Sequence, residues 1–201
     1  MPRPGVLAVW LALIAAIAVP VVVAGFSPYL AWRSPIYIAA GFAGIIGLGL
    51  LLIQPLLAAR VLPGLTAMNN RIVHRWVGIT LIAMIALHVG GLWITSPPDV
   101  VDALLFRSPT PFSAWGVVAM WAAFAAAALA ALRSRLGWRF RLWRLAHASL
   151  ALVTILGTVV HAVLIEGAME TVTKAALCGL VSFACVGALI RLQVWDVKPR
   201  G

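Results

Sequence analysis

Apolar residues fill this chain in six long runs, and polar residues gather in the short breaks between them. The runs cover about 6–25, 35–58, 72–94, 113–133, 145–165 and 172–194. A helix needs about 20 apolar residues to cross the hydrocarbon of a bilayer, and every run is long enough. The breaks read "SPYLAWRSP", "RVLPGLTAMNNR", "TSPPDVVDALLFRSPTPF", "SRLGWRFRLWR" and "EGAMET", punctuated by Pro and Gly as loops are. The first run follows Arg3 and ends near "VVVAG", as a secretory signal would. Its apolar stretch exceeds a usual signal core, so a retained helix is expected. No stretch outside the runs is long enough for a separate domain. The expectation is an all-α integral membrane protein, a single six-helix transmembrane domain over 1–201.

Composition agrees. The chain is 64% hydrophobic and only 10% charged, whereas a soluble domain is about half apolar and about a quarter charged. Mean hydropathy is +1.07 and the pI about 11.5. The basic residues form no arm or continuous patch, which argues against nucleic acid as a partner. They sit in short loops, and that pattern orients a membrane protein. With the N-terminus inside, the inner segments hold Arg3, Arg60, Arg71, Arg75, Arg133, Arg135, Arg139, Arg141, Arg144, Arg191, Lys198 and Arg200. The outer side keeps Arg33, Arg107 and Lys174, with the acids Asp99, Asp102, Glu166 and Glu170. Both termini are therefore expected to be cytoplasmic, and the compact loops suit a bacterial inner (plasma) membrane. Membrane lipid is the first partner implied. Cys178 and Cys185 are seven apart on one run. They lie about 10 Å apart along a helix, too far to bridge, and read as small buried hydrophobes.

Against this background the histidines stand out. All four lie in apolar runs, as two pairs with the same spacing of fourteen: His74 and His88 on the third run, His147 and His161 on the fifth. Both runs cross in the same direction. Fourteen residues rise about 21 Å and return to within about 40° of the starting direction. Each helix thus offers two imidazoles on nearly one face, at two depths. Opposed faces give two levels, with one histidine from each helix per level.

Axial ligation of haem fits this pattern. The iron of a haem has two axial positions, and neutral imidazole suits iron. His74 with His147 would hold an inner iron, and His88 with His161 an outer iron. Two b-type haems would then stack between the third and fifth helices, and electrons could cross by two short hops. A zinc site gathers its ligands round one point, unlike these two levels. Gly78, Gly91 and Gly157 lie three or four residues from a histidine; they either make room for a macrocycle or serve helix contacts. The glycines of "GFAGIIGLG" on the second run read as helix contacts. Leu81, Ile85, Thr154 and Thr158 lie between the levels and carry no charge, so no proton wire or ion path is indicated. A six-coordinate iron has no open site, so no catalytic side chain is assigned. Reduction of an acceptor would be outer-sphere, at the exposed edge of the outer haem.

The segments "HRWVGITLIAMIALH" and "WRLAHASLALVTILGTVVH", on the third and fifth of six spans, resemble the ferric reductase-like transmembrane domain family. That family includes ferric reductases and the membrane half of NADPH oxidases. The resemblance runs from about Ile36 to Ile190. It implies that His74 and His147 form the inner ligand pair and His88 and His161 the outer pair. The family often spaces the fifth-helix pair one residue closer. Many members carry a flavin- and nicotinamide-binding domain after the sixth helix, whereas this chain ends at "QVWDVKPRG". The expected role is the membrane electron-transfer component of an oxidoreductase. It needs a separate donor (a flavoprotein, a reduced flavin or a quinol) and an acceptor the sequence does not identify.

Two alternatives remain at this stage. A quinol-linked cytochrome b also uses paired histidines fourteen apart, but no PEWY-type motif is present. A haem-free transporter or anchor leaves the matched histidines unexplained. Arg71, Arg75 and Arg144 lie within four residues of an inner histidine and are candidates to pair with carboxylates of the inner haem. The arginine- and tryptophan-rich loop before the fifth run reads as an interfacial anchor or a docking surface for an acidic donor. Arg107 reads as a loop arginine or a partner of an anion on the outer side.

Overall fold

The computed structural model describes residues 4–193. It is all-helical: α1 (Pro4–Ala24), α2 (Pro35–Ala58), α3 (Ala67–Thr95), α4 (Pro97–Leu104), α5 (Pro111–Ala131), α6 (Arg133–Leu136), α7 (Phe140–Leu164) and α8 (Thr171–Leu192). A 3-10 turn, Pro28–Leu30, lies between α1 and α2. Six of these helices are long and apolar enough to cross a membrane. They match the six runs, and α2 keeps the expected bounds. Arg3, Lys198 and Arg200, counted above on the inner side, lie outside the described residues.

Where the bounds differ, capping and interfacial residues are the reason. α3 starts at Ala67 because Thr66 caps it, its hydroxyl accepting from the Asn69 amide at 3.1 Å. Buried Asn70 reinforces the start by donating to the Leu65 and Thr66 carbonyls. α7 starts at Phe140, so Arg141 and Arg144 stand on its first turns rather than in a loop. A hydropathy window measures the apolar length of a helix, and helices extend past it through interfacial Arg and Trp. The long outer break is also part helix. α4 opens with Pro97 at its first position and Asp99 in its first turn, both favoured there.

α2 packs along α3, and α5 packs along α7. α8 bridges the two pairs by touching α2 and α7, and α3 touches α5. α1 lies outside, against α2 and α8. The core gathers Leu48, Leu51 and Leu52 of α2, Leu81 of α3, Ile155 of α7, and Leu177 and Val181 of α8. Cys178 and Cys185 are buried in it as free thiols, as expected of small hydrophobes. Outward faces are apolar too: Leu11, Phe183 and Ile190 are exposed. Such a surface suits lipid, and the protein is an integral membrane protein. α3 and α7 each lean on their own neighbour, which leaves a gap between them.

Candidate functional site

The four histidines face one another across that gap. The His74 and His147 rings lie 6.5 Å apart, centre to centre, and His88 and His161 are also 6.5 Å apart. Within each pair the rings are turned by 66° and 79° respectively. Residues with equal spacing on α3 and α7 thus meet level by level, so the two helices run parallel. Among the described residues no three His, Cys, Asp or Glu side chains gather round one point; the imidazoles come as two separate pairs.

The outer pair is oriented by backbone. His88 Nδ1 lies 2.8 Å from the Ala40 carbonyl of α2, and His161 Nδ1 lies 2.8 Å from the Phe112 carbonyl of α5. A carbonyl only accepts, so each Nδ1 carries the proton and each Nε2 keeps its lone pair. In an α-helix the next backbone donor to such a carbonyl is four residues on, here Gly44 and Gly116. A Cβ at Gly44 would stand 3.0 Å from His88 Nδ1, and one at Gly116 would stand 2.8 Å from His161 Nδ1. Only a glycine lets the ring lie against the helix and reach the carbonyl.

These are not the glycines that spacing pointed to. A Cβ on Gly78 would meet Gln54 Nε2 at 3.0 Å, one on Gly91 the Ala40 Cβ at 2.7 Å, and one on Gly157 the Ala119 Cβ at 3.0 Å. Gly78 leaves room for the Gln54 amide to reach the His74 carbonyl, and the other two serve helix contact. Gly91 brings α3 against α2 beside Ala40, and Gly157 brings α7 against α5. Within "GFAGIIGLG" the reverse holds for one member: Gly44 serves a histidine, while Gly49 packs on Ile17 of α1.

The inner pair is held differently. The Nδ1 atoms of His74 and His147 are buried without a hydrogen-bond partner. The Gln54 and Ala126 backbones approach these rings without closing a hydrogen bond of good geometry. These stand fourteen residues after Ala40 and Phe112, so the carbonyls repeat with the histidines. Four residues further on, however, come Ala58 and Ala130, and a Cβ stands where the outer level has none. The Gln54 side chain donates to the His74 carbonyl at 3.3 Å. His147 is stacked on Trp143, with centres 5.3 Å apart and planes within 9°. Trp143 is pinned by its own donation to the Leu129 carbonyl at 3.1 Å. Phe140 stacks beyond it, and Arg133 lies over both rings, 4.5 Å from Trp143 and 5.0 Å from Phe140.

Of the three arginines expected near the inner level, Arg144 is half-buried, with an Nε that has no partner, and Arg71 and Arg75 are exposed. Sequence reasoning missed Trp143 as a stacking partner, although its place four residues before His147 was a usable signal.

A cavity of about 610 Å³ opens at the outer level, within the range of about 300–1,000 Å³ usual for cofactor-sized sites. His88 and His161 line it, and apolar walls of Leu48, Leu51, Leu81 and Ile85 carry it towards mid-membrane. Its rim is polar, with Ser96, Asp99, Ser108, Thr110, Glu166 and the cations Arg33 and Lys174. Arg107 is not among its lining residues. α4 supplies one side of the mouth, so the break read as a loop is part of the site.

Comparison with known families gives one finding. The family described as "Ferric reductase like transmembrane component" matches residues 40–158. No curated protein and no solved structure matches the chain significantly. The matched segment runs from the carbonyl that holds His88 to just short of His161 and covers more than half of the chain. The protein belongs to the ferric reductase-like transmembrane family.

Proposed function

We propose that this member of the ferric reductase-like transmembrane family carries electrons across the membrane through two b-type haems. His74 and His147 hold the inner iron, and His88 and His161 the outer iron. The observation that carries this reading is the ring separation. A metal–imidazole bond is about 2 Å and nitrogen to ring centre about 1.2 Å, so two imidazoles on one iron put their centres about 6.4 Å apart. Both pairs stand at 6.5 Å.

The neighbouring groups fit the same occupant. At the outer level the Ala40 and Phe112 carbonyls fix the Nδ1–H tautomer, which directs both Nε2 lone pairs towards the gap and raises their basicity as ligands. The cavity beside them has apolar walls and a polar rim, as an amphipathic macrocycle requires. Bound haem supplies one-electron exchange at iron. The chain's own residues position the rings, and the uncharged Leu81, Ile85, Thr154 and Thr158 stand between the levels, which suits the passage of electrons.

In the full reading the donor is a separate flavoprotein, a reduced flavin or a quinol on the inner, arginine-rich side. The acceptor is met at the outer haem edge. Arg144, with its unpartnered Nε, is the best placed of the three arginines to pair with an acid group of the inner haem; Arg71 and Arg75 lie further towards solvent.

Optical spectra of detergent-purified protein, oxidised and dithionite-reduced, with haem counted as pyridine haemochrome, test the proposal. Two low-spin b-type haems per chain are expected. No Soret band in folded protein would sink it and leave the transporter or anchor reading in front.

A further inference from the structure

Lys174 has an expensive position. It is only 8% exposed, and lysine is rarely buried without a partner. It also stands in the first turn of α8, where the helix macrodipole disfavours a cation. Glu170, one turn earlier and fully exposed, attracts it but forms no ion pair with it. That carboxylate caps the helix by accepting from the Val172 and Thr173 amides, both at 2.8 Å. No carboxylate among the described residues forms an ion pair with Lys174; its ammonium donates once, to the Ile165 carbonyl at 2.8 Å. An ammonium has three donors, and this one lines the outer cavity with His88 and His161. Arg33 lies on the same rim, its guanidinium 4.8 Å over the Tyr37 ring. Arg33, Asp99 and Glu166 are all exposed to solvent, where their charge is screened.

We propose that Lys174 anchors a carboxylate at the rim of the outer cavity. A carboxylate suits the setting, because Lys174 is the one buried cation in a lining that is otherwise mostly apolar. The carboxylate has two possible sources: an acid group of the outer haem, which rests on the function proposed above, or a carboxylate-chelated ferric acceptor arriving from the outer side.

Three forms of the full chain separate the outcomes: wild type, Lys174→Met and Lys174→Arg. The rate of haem loss to apomyoglobin is measured for each, together with half-saturation by ferric citrate of re-oxidation of the reduced protein. If the haem supplies the carboxylate, Lys174→Met releases one of two haems about 10- to 100-fold faster, the worth of a charged hydrogen bond. Lys174→Arg restores most of that loss, and the citrate response is unchanged. If the acceptor supplies it, haem loss is unchanged, and half-saturation by ferric citrate rises about tenfold or more in Lys174→Met and recovers in Lys174→Arg. Folded Lys174→Met with neither change overturns the proposal. Should Lys174→Met fail to fold, Lys174→Gln is read in its place. A wild type without haem overturns the electron-transfer reading instead; calorimetric titration with ferric citrate then decides on Lys174, and equal binding by wild type and variant overturns it.

Discussion

The outer and inner levels of this protein hold the same pair of imidazoles at the same separation, yet they orient them by different means. At the outer level each imidazole donates to a helix carbonyl, Ala40 or Phe112, that is laid bare by the glycine four residues on. At the inner level the corresponding carbonyls belong to Gln54 and Ala126, but Ala58 and Ala130 follow them, and both Nδ1 atoms go without a partner. There the Trp143 stack steadies His147 and the Gln54 amide ties down the backbone of His74. One methyl group per helix separates the two designs. The difference teaches that equal spacing does not make equivalent histidines. A histidine whose Nδ1–H is hydrogen-bonded is the stronger donor to a metal.

The largest effect expected is loss of a whole level. His88→Ala or His161→Ala should reduce the pyridine haemochrome count from two to one, and His74→Ala or His147→Ala should do the same for the other haem. Loss of both haems from any single variant would show that the levels are not independent. Next come the glycines. Gly44→Ala and Gly116→Ala place a Cβ 3.0 and 2.8 Å from an outer Nδ1. They should weaken outer-haem binding about 10- to 100-fold, as loss of an outer-shell partner does, and raise the outer midpoint potential in a redox titration. The inner haem should be untouched.

The converse variants sharpen the comparison. Ala58→Gly and Ala130→Gly remove the methyl that the outer level lacks. The expected result is a lower inner midpoint potential, set against a helix cost of about 1 kcal/mol. An unchanged potential would mean that the carbonyls, not the methyls, are out of reach. A smaller effect is expected from Trp143→Leu. An aromatic pair contributes about 0.5–1.5 kcal/mol, so inner-haem affinity should fall by about two- to tenfold. Altered electron paramagnetic resonance of one haem should report the freed ring, and Trp143→Phe should keep most of the wild-type signal.

The smallest effect concerns the outer end of α8. The Val172 and Thr173 amides hold the Glu170 carboxyl below its ordinary range. Its folded value is depressed, so the cap stabilises above the ordinary carboxylate range and is lost as pH falls through the depressed value. Thermal melts of wild type and Glu170→Gln should therefore differ slightly near neutrality and converge in acid.

Much of this was legible in the chain. Six apolar runs became six spans, and the histidines met in the pairs their spacing implied. What could not be read was whatever depends on a backbone atom or on the far side of a contact. Ala40 and Phe112 act through carbonyls, which every residue has. Gly44 lies in a stripe of glycines that reads as packing, while Gly78, Gly91 and Gly157 drew notice only because they neighbour histidines along the chain. α4 hid among prolines that in fact start it. Lys174 counted as one of three outer cations, and only folding showed it walled into a cavity.

The division has a physical cause. Hydrophobic length, charge bias and a fourteen-residue period are properties of a single helix, so the sequence alone determined the spans, the parallel third and fifth crossings and the two levels. Which carbonyl a ring reaches, which glycine makes room for it and which cation loses its water depend on how two or more helices approach. Differences of one methyl group decide those approaches, and only the tertiary structure resolves them.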